Sequence, residues 1–229
     1  AMNVMHEASS LVNEEEVAAW RGEARQMDER RTDEGGKDSR FFPLQPLGDD
    51  EIPQDKIEEV VIRRGSTRQF ARESITFAQL STMLDRATRG IPADFLDSAE
   101  ESLNDVYLIV HAVDDLPPGA YYFRRDNRAL ELLKEGDPST RAPALAEVSR
   151  SGFRPTGVLE GATSLPVGLH FRREAGNLGL GQEIPADCSV NVYFLADLHR
   201  ALERFGNRGY RAAQLEAGIL GGKLYLAAY

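Results

Sequence analysis

The sequence predicts an α+β fold, because strand and helix patterns both occur along one chain. Residues 106–113 form an apolar run with the length of a buried strand. Two shorter strand patterns, at residues 120–123 and 129–133, follow across short turns, and this spacing predicts a β-meander. Capped helical patterns precede the strands, and a long helix is predicted over residues 212–229.

The composition fits one sizeable domain, with or without an appendage. The chain has 229 residues, of which 41% are hydrophobic and 28% are charged, as in ordinary globular proteins. It has no apolar run of membrane-spanning length and no secretory signal pattern, so we expect a cytoplasmic protein without a membrane partner. The net charge of −10 argues against a general nucleic-acid binder, because the overall field would oppose phosphate attraction.

Cysteine and histidine residues give no pattern of a metal site. Cys188 is the only cysteine, so no intrachain disulfide can form, and its apolar neighbours favour a buried, unreactive thiol. The four histidines lack metal-ligand spacing: His6, His111, His170 and His199. We therefore expect no bound metal.

Residues 1–51 are predicted to form a short helix and a charged linker ahead of a domain at residues 52–229. Asn13 can cap the helix, with Glu16 completing a capping box. Trp20 either packs this helix on its own domain or anchors it on a partner. Residues 21–50 are rich in charge, glycine and proline, which is typical of a linker or mobile arm, although residues 41–44 could attach it to the domain.

Two helices are predicted at the start of the domain. Ile57, Val60 and Val61 share one helical face, and Gly65 can close that helix. The second helix begins at a capping box, Thr76-Phe77-Ala78-Gln79, and continues at helical spacing to residues 90–92.

Between these helices, residues 63–70 read Arg-Arg-Gly-Ser-Thr-Arg-Gln-Phe. Guanidinium groups match the oxygens of a phosphate, hydroxyl groups add short hydrogen bonds, and glycine allows backbone N–H groups to face an anion. The stretch therefore predicts an anion site. The alternative is a solvated basic helix end whose arginines complement the helix dipole.

The second half of the chain begins with an irregular stretch, which a strand and two helices follow. Residues 137–170 show little periodicity and are predicted to be an insertion, acting as a mobile cover. A strand at residues 190–196 precedes a helix that Asp197 caps and Gly206 ends. The final helix carries Gly218, Gly221 and Gly222, each costing about 1 kcal/mol of helix propensity, so these glycines need a packing reason.

Residues 64–70 resemble the Arg-Arg-Ser-x-Arg-x-Phe signature of the flavin-dependent nitroreductase family. Three later segments resemble its peptide-dehydrogenase and azoline-oxidase-like branch: Val-Tyr-Leu-Ile-Val at 106–110, Pro-Gly-Ala-Tyr-Tyr-Phe at 118–123 and Gly-Tyr-Arg-Ala-Ala-Gln-Leu-Glu-Ala-Gly at 209–218. The resemblance covers most of residues 52–229. It implies a central, mostly antiparallel sheet flanked by helices, with the long helix at a dimer interface.

The resemblance also implies a cofactor and a reaction. FMN would accept a hydride from NAD(P)H and reduce a small acceptor such as a nitro compound, quinone or azoline-like group. Arg64 and Arg68 would pair with the phosphate, Ser66 would bond a phosphate or ribityl oxygen, and Gly65 would offer its N–H. Asn104 is a candidate contact of the flavin ring, or a simple turn residue, and Arg211 is a further candidate ligand.

The sequence departs from the family in three places. The loop beside the ring normally reads Pro-Ser-Ser, whereas residues 97–104 read Asp-Ser-Ala-Glu-Glu-Ser-Leu-Asn. Gly65 replaces the second arginine of the signature, and the sequence ends inside the long helix, before the strand that follows it in the family, as expected of a fragment or of one half of a tandem protein. These departures leave two alternatives: an FMN enzyme formed by a homodimer or tandem-domain pair, or a degenerate non-catalytic half that serves dimerisation.

Overall fold

The computed structural model describes residues 2–23, 39–93, 95–96, 101–136 and 167–229. Two helices, α1 (Met2–Ala8) and α2 (Glu14–Glu23), form an N-terminal arm. Glu16 N donates to Asn13 Oδ1 at 2.8 Å, which confirms the predicted cap of α2. Residues 24–38, half of the predicted linker, lie outside the described residues.

The remaining elements follow in chain order. They are β1 (Arg40–Pro43), α3 (Ile57–Arg63), α4 (Phe77–Thr88), β2 (Asn104–Val110), β3 (Gly119–Arg124), β4 (Ala129–Glu135), α5 (Val167–Leu178), α6 (Ile184–Asp187), β5 (Val190–Ala196), α7 (Leu198–Phe205) and α8 (Gly209–Ala227). A short 3₁₀ turn, Gly206–Arg208, joins the last two helices. None of the helices in the described ranges is long and apolar enough to cross a bilayer.

The five strands form one sheet in the order β1-β4-β3-β2-β5. The pairs β1/β4, β4/β3 and β3/β2 are antiparallel, with Tyr107 opposite Tyr122 in the last pair. The sequence prediction of an α+β fold with a mostly antiparallel sheet is therefore confirmed. A Cβ on Gly119 would lie 2.6 Å from Lys134 O, so only glycine lets β3 approach β4 so closely.

The chain divides into two compact units. The first comprises Ala1–Asp38, Leu84–Val106 and Phe194–Tyr229, and the second comprises Ser39–Met83 and Tyr107–Tyr193. The core of the first unit contains Leu103, Phe205, Ala212 and Ala213, with Trp20, Phe95, Leu96 and Ala196 packed against it. The largest buried side chains of the second unit are Tyr121, Phe123, Leu80, Leu108, Leu116 and Leu130.

Several helix boundaries follow the capping patterns of the sequence. Thr76 N donates to Gln79 Oε1 at 2.9 Å and Gln79 N donates to Thr76 Oγ1 at 3.1 Å, which is the reciprocal capping box. Asp197 Oδ1 accepts from Arg200 N at 3.2 Å at the start of α7. At the start of α8, a Cβ on Gly209 would lie 2.2 Å from Ala201 O, so glycine permits the close turn.

The structure also differs from the sequence predictions. Residues 40–43, placed in the predicted linker, form strand β1, because they pair with β4. Helix α3 ends at Arg63, and the capping position is Arg64 rather than Gly65. Residues 137–166 of the predicted insertion lie outside the described residues, and α5 begins within the rest of it.

The glycines of α8 face different surroundings. A Cβ on Gly221 would lie 3.7 Å from Phe194 Cε2, an ordinary internal contact. A Cβ on Gly218 or Gly222 would meet nothing within 4 Å. Gly221 therefore faces the interior of its unit, whereas Gly218 and Gly222 face open space. The sequence alone does not distinguish the three glycines.

Candidate functional site

The arginine segment, residues 64–70, connects α3 to the stretch before α4 and has no regular secondary structure. Every residue of this segment is exposed. Backbone and side-chain donors of the segment are thus accessible to a ligand. A solvated loop would be exposed as well, so the hydrogen-bond donors of the segment distinguish a binding loop from a solvated one.

Both ends of the arginine segment are held by defined contacts. Arg64 N donates to Val60 O at 2.9 Å, and Arg63 pairs with Asp55 at 2.7 Å. Beyond the segment, Arg72 Nε donates to Asp187 Oδ1 at 2.6 Å, and Ser189 Oγ donates to Glu73 O at 2.7 Å. The loop is therefore anchored on either side, and its residues are exposed.

The donor set of the arginine segment fits a phosphate monoester. Arg64 and Arg68 supply guanidinium donors, Ser66 supplies a hydroxyl group, and all three residues are exposed. A Cβ on Gly65 would meet nothing within 4 Å, so an oxyanion could approach the backbone there.

An exposed apolar surface lies on the helix that leads into this segment. Ile57 is 60% exposed and Ile62 is 85% exposed, and only Val60 of α3 is buried. Phe70, at the other end of the segment, is also exposed. The phosphate-type donors are thus flanked by apolar side chains on the same unit.

Asn104 lies in a buried polar cluster of the first unit. Its side chain is 3% exposed, and its Nδ2 donates to Ala213 O and to Glu216 Oε2, each at 2.9 Å. Glu216 also accepts from Ser102 Oγ, from Leu103 N at 2.6 Å and from Asn104 N at 3.1 Å. These bonds use both N–H donors of the Asn104 amide, so we do not assign Asn104 to the proposed binding site.

Arg211 contacts the N-terminal arm. Its Nη2 donates to His6 Nδ1 at 2.9 Å, to His6 O at 3.2 Å and to Ser10 Oγ at 3.5 Å. Arg211 and Asn104 belong to the first unit and the arginine segment belongs to the second. The predicted site residues therefore belong to two different compact units.

Two residues with local importance were not singled out by the sequence. Asp187 holds Arg72, and Glu216 fixes the backbone ahead of β2. The sequence does not pair either residue with its partner, because each contact joins positions more than a hundred residues apart. The one signal is that Glu216 is the only acidic residue of α8.

His111 is fully buried in the second unit. Its Nε2 lies 3.2 Å from both Pro185 O and Asn191 Nδ2, and Phe171 packs edge-on at 6.2 Å. Burial, with the positive charge of Arg172 as a second cause, lowers the pKa of His111 to about 4. The residue is thus a neutral core histidine at physiological pH.

Cys188 is buried, and burial raises the pKa of its thiol to about 11. A thiol with a raised pKa is a poor nucleophile, because the thiolate is the reactive form. The prediction of an unreactive cysteine is consistent with this environment. Among the residues that the structure describes, no group of three or more histidine, cysteine or acidic side chains could hold a metal ion.

A cavity of about 250 Å³ lies between β1 and the beginning of α4 in the second unit. Its lining includes Phe41, Phe42, Gln45, Thr76 and Asp115. None of the residues of the arginine segment lines it. The cavity is therefore a separate feature of this unit.

Comparison with solved structures finds the same fold in a protein from Anabaena variabilis ATCC 29413 that is described as a "putative nitroreductase". The two share 22% sequence identity with a TM-score of 0.58, over 95% of this chain and 40% of the other. This chain thus spans less than half the length of that protein. No family model matches the sequence, and no curated protein matches it. At this level of identity the likeness concerns the fold alone.

Proposed function

We propose that this protein is an FMN-dependent oxidoreductase of the nitroreductase type. The observation that carries the proposal is the exposed arginine segment, anchored at both ends, on a chain with a nitroreductase-like fold. A phosphate group needs several convergent donors, and this segment concentrates guanidinium, hydroxyl and backbone N–H groups within a few residues.

Four residues of the segment take part in binding. Arg64 and Arg68 pair with the FMN phosphate, Ser66 donates to a phosphate or ribityl oxygen, and Gly65 presents its backbone N–H. Asp187 fixes Arg72 and so holds the end of the loop through a salt bridge. Arg211 remains a weaker candidate, because the N-terminal arm already contacts its guanidinium group.

Bound FMN would supply the redox chemistry, which is hydride acceptance from NAD(P)H and reduction of a nitro, quinone or azoline-like acceptor. The residues of this chain bind and orient the phosphate end of the cofactor. Their charges also offset the phosphate charge within a protein whose formal net charge is −10.

The proposed site is completed by a second copy of the chain or by an equivalent tandem domain. The outward side chains of Ile57 and Ile62 lie beside the arginine segment and offer apolar area to a partner. The outward glycines of α8, Gly218 and Gly222, would permit close approach of a second helix. The length of the solved structure, of which this chain spans 40%, is compatible with such a pair.

The absorption spectrum of the purified protein tests the proposal directly. After incubation with FMN and removal of unbound ligand, we expect flavin bands to stay with the protein, and NADH or NADPH to be consumed when a quinone is added. Retained flavin without nicotinamide consumption for any acceptor would favour the non-catalytic alternative. A protein that retains no FMN would contradict both the cofactor and the reaction.

A further inference from the structure

The N-terminal arm, residues 2–23, contacts α7 and α8 through one aromatic residue and two arginines. Trp20 Nε1 donates to Phe205 O at 3.1 Å, and the two rings lie 5.9 Å apart. The Arg208 guanidinium group stacks over the Trp20 ring at 5.0 Å. Trp20 thus packs on its own chain, which was one of the two alternatives left open by the sequence.

Both arginines at the start of α8 are used by acceptors of the arm. Arg208 Nη1 donates to Ser9 O at 2.9 Å, and Arg211 Nη2 donates to His6 O and His6 Nδ1. The carbonyl groups belong to the last turn of α1 and the residue after it, and His6 O also accepts from Ser10 Oγ at 2.6 Å and from Ser9 N at 3.3 Å. The acceptors that the arm offers to Arg208 and Arg211 are therefore not anionic.

Several apolar side chains of the arm remain exposed in the docked arrangement. Val4 is 67% exposed, Met5 is 60% exposed and Val12 is 81% exposed. Helices as short as α1 and α2 are marginal on their own, so docking depends on Trp20 and the arginine contacts. Segments with few buried apolar contacts open at low free-energy cost.

An anion would satisfy the arginine pair better than the arm does. A phosphate adds attraction between opposite charges and can accept two guanidinium N–H groups at once, whereas the backbone carbonyl groups of the arm are uncharged. In addition, Arg208 Nε is buried and has no hydrogen-bond acceptor among the described residues. A phosphate-bearing ligand could therefore compete with Ser9 O and His6 O.

We propose that the arm is a releasable latch: it covers Arg208 and Arg211, and a phosphate-bearing ligand displaces it. This inference goes beyond the proposed function, because it holds whether or not the arginine segment retains FMN. Release would uncover Phe205 and the ring face of Trp20. The latch would thereby couple ligand binding at the start of α8 to exposure of an aromatic surface.

Trp20 is the only tryptophan of the chain, so tryptophan fluorescence reports only on the surroundings of the arm. We would titrate the full chain with inorganic pyrophosphate and, separately, with sodium chloride at matched ionic strength. The expected result is a shift of Trp20 emission to longer wavelength and stronger acrylamide quenching with pyrophosphate, well beyond the effect of chloride. Equal effects of the two salts would overturn the proposal, because screening alone would then explain them.

An Arg208→Ala/Arg211→Ala variant should show the shifted emission without ligand and no further response. The control, Arg173→Ala/Arg200→Ala, loses the same charge elsewhere and should respond like wild type. Hydrogen exchange on the unaltered protein avoids any folding defect of the variant. Pyrophosphate should speed exchange in α1 and α2 by about tenfold, equivalent to 1.4 kcal/mol. Unchanged exchange there would also overturn the latch.

Discussion

Two polar clusters of this chain use their hydrogen-bonding groups in opposite ways. In the first unit, Glu216 is 1% exposed, and its carboxylate accepts from Ser102, from two backbone N–H groups and from the Asn104 amide. In the second unit, the donors of the arginine segment face solvent. A buried cluster whose groups bond one another serves stability, whereas exposed donors concentrated in a short segment suit a ligand.

The largest expected effect comes from breaking the buried cluster. Glu216→Ala leaves several buried donors without an acceptor, and we expect the free energy of unfolding to fall by about 3 to 5 kcal/mol. Glu216→Gln keeps the shape and one acceptor oxygen, so its loss should be about half as large. Urea unfolding followed by circular dichroism measures both. A loss below about 1 kcal/mol for Glu216→Ala would show that the cluster does not carry stability.

The next effect concerns the buried histidine of the second unit. Because burial lowers the pKa of His111 to about 4, from an ordinary value of 6.5, the unfolded chain binds a proton that the folded chain does not over this interval. Stability from this group is therefore complete above pH 6.5 and falls by about 3 kcal/mol as the pH drops to 4.

Urea unfolding of wild type and His111→Gln at pH 7 and pH 4.5 isolates this contribution. Glutamine can still donate to Pro185 O but does not titrate. The variant should lose less stability between the two pH values than wild type does. Identical losses would contradict a neutral, buried His111.

A smaller effect distinguishes the glycines of α8. Gly221→Leu should overpack the contact with Phe194 and destabilise the chain by about 1 to 3 kcal/mol. Gly218→Leu points to open space, so single-chain stability should change little, while assembly with a second copy should weaken. Thermal melts and sedimentation measure the two effects separately. A Gly218→Leu variant that assembles like wild type would count against the proposed helix contact.

The elements that the sequence predicted well are those whose formation depends on residues close to them in the sequence. The caps at Asn13 and Asp197 and the capping box at Thr76 place helix starts within a few residues of the side chain responsible. The strands at residues 104–110, 119–124 and 129–135 follow from apolar runs separated by turns. Local chemistry sufficed for these.

The features that sequence reasoning missed depend on distant residues. Strand β1 exists because Arg40–Pro43 pairs with β4, and its own composition reads as a linker. The sequence left Asn104 as a candidate ring contact or a turn residue, because its partners, Ala213 and Glu216, lie far along the chain. The helices α5 and α6 were not predicted, because the irregular stretch before them obscured their start.

FMN affinity of the Arg64→Ala/Arg68→Ala variant tests the central claim most directly. Each charge-assisted contact is worth about 1.5 to 3 kcal/mol, so the double variant should bind FMN at least about 100-fold more weakly than wild type. The Arg173→Ala/Arg200→Ala control, with the same net charge, should bind FMN as wild type does. Fluorescence titration of FMN gives all three constants. Unchanged FMN affinity in the Arg64→Ala/Arg68→Ala variant would contradict the assignment of the arginine segment as the phosphate site.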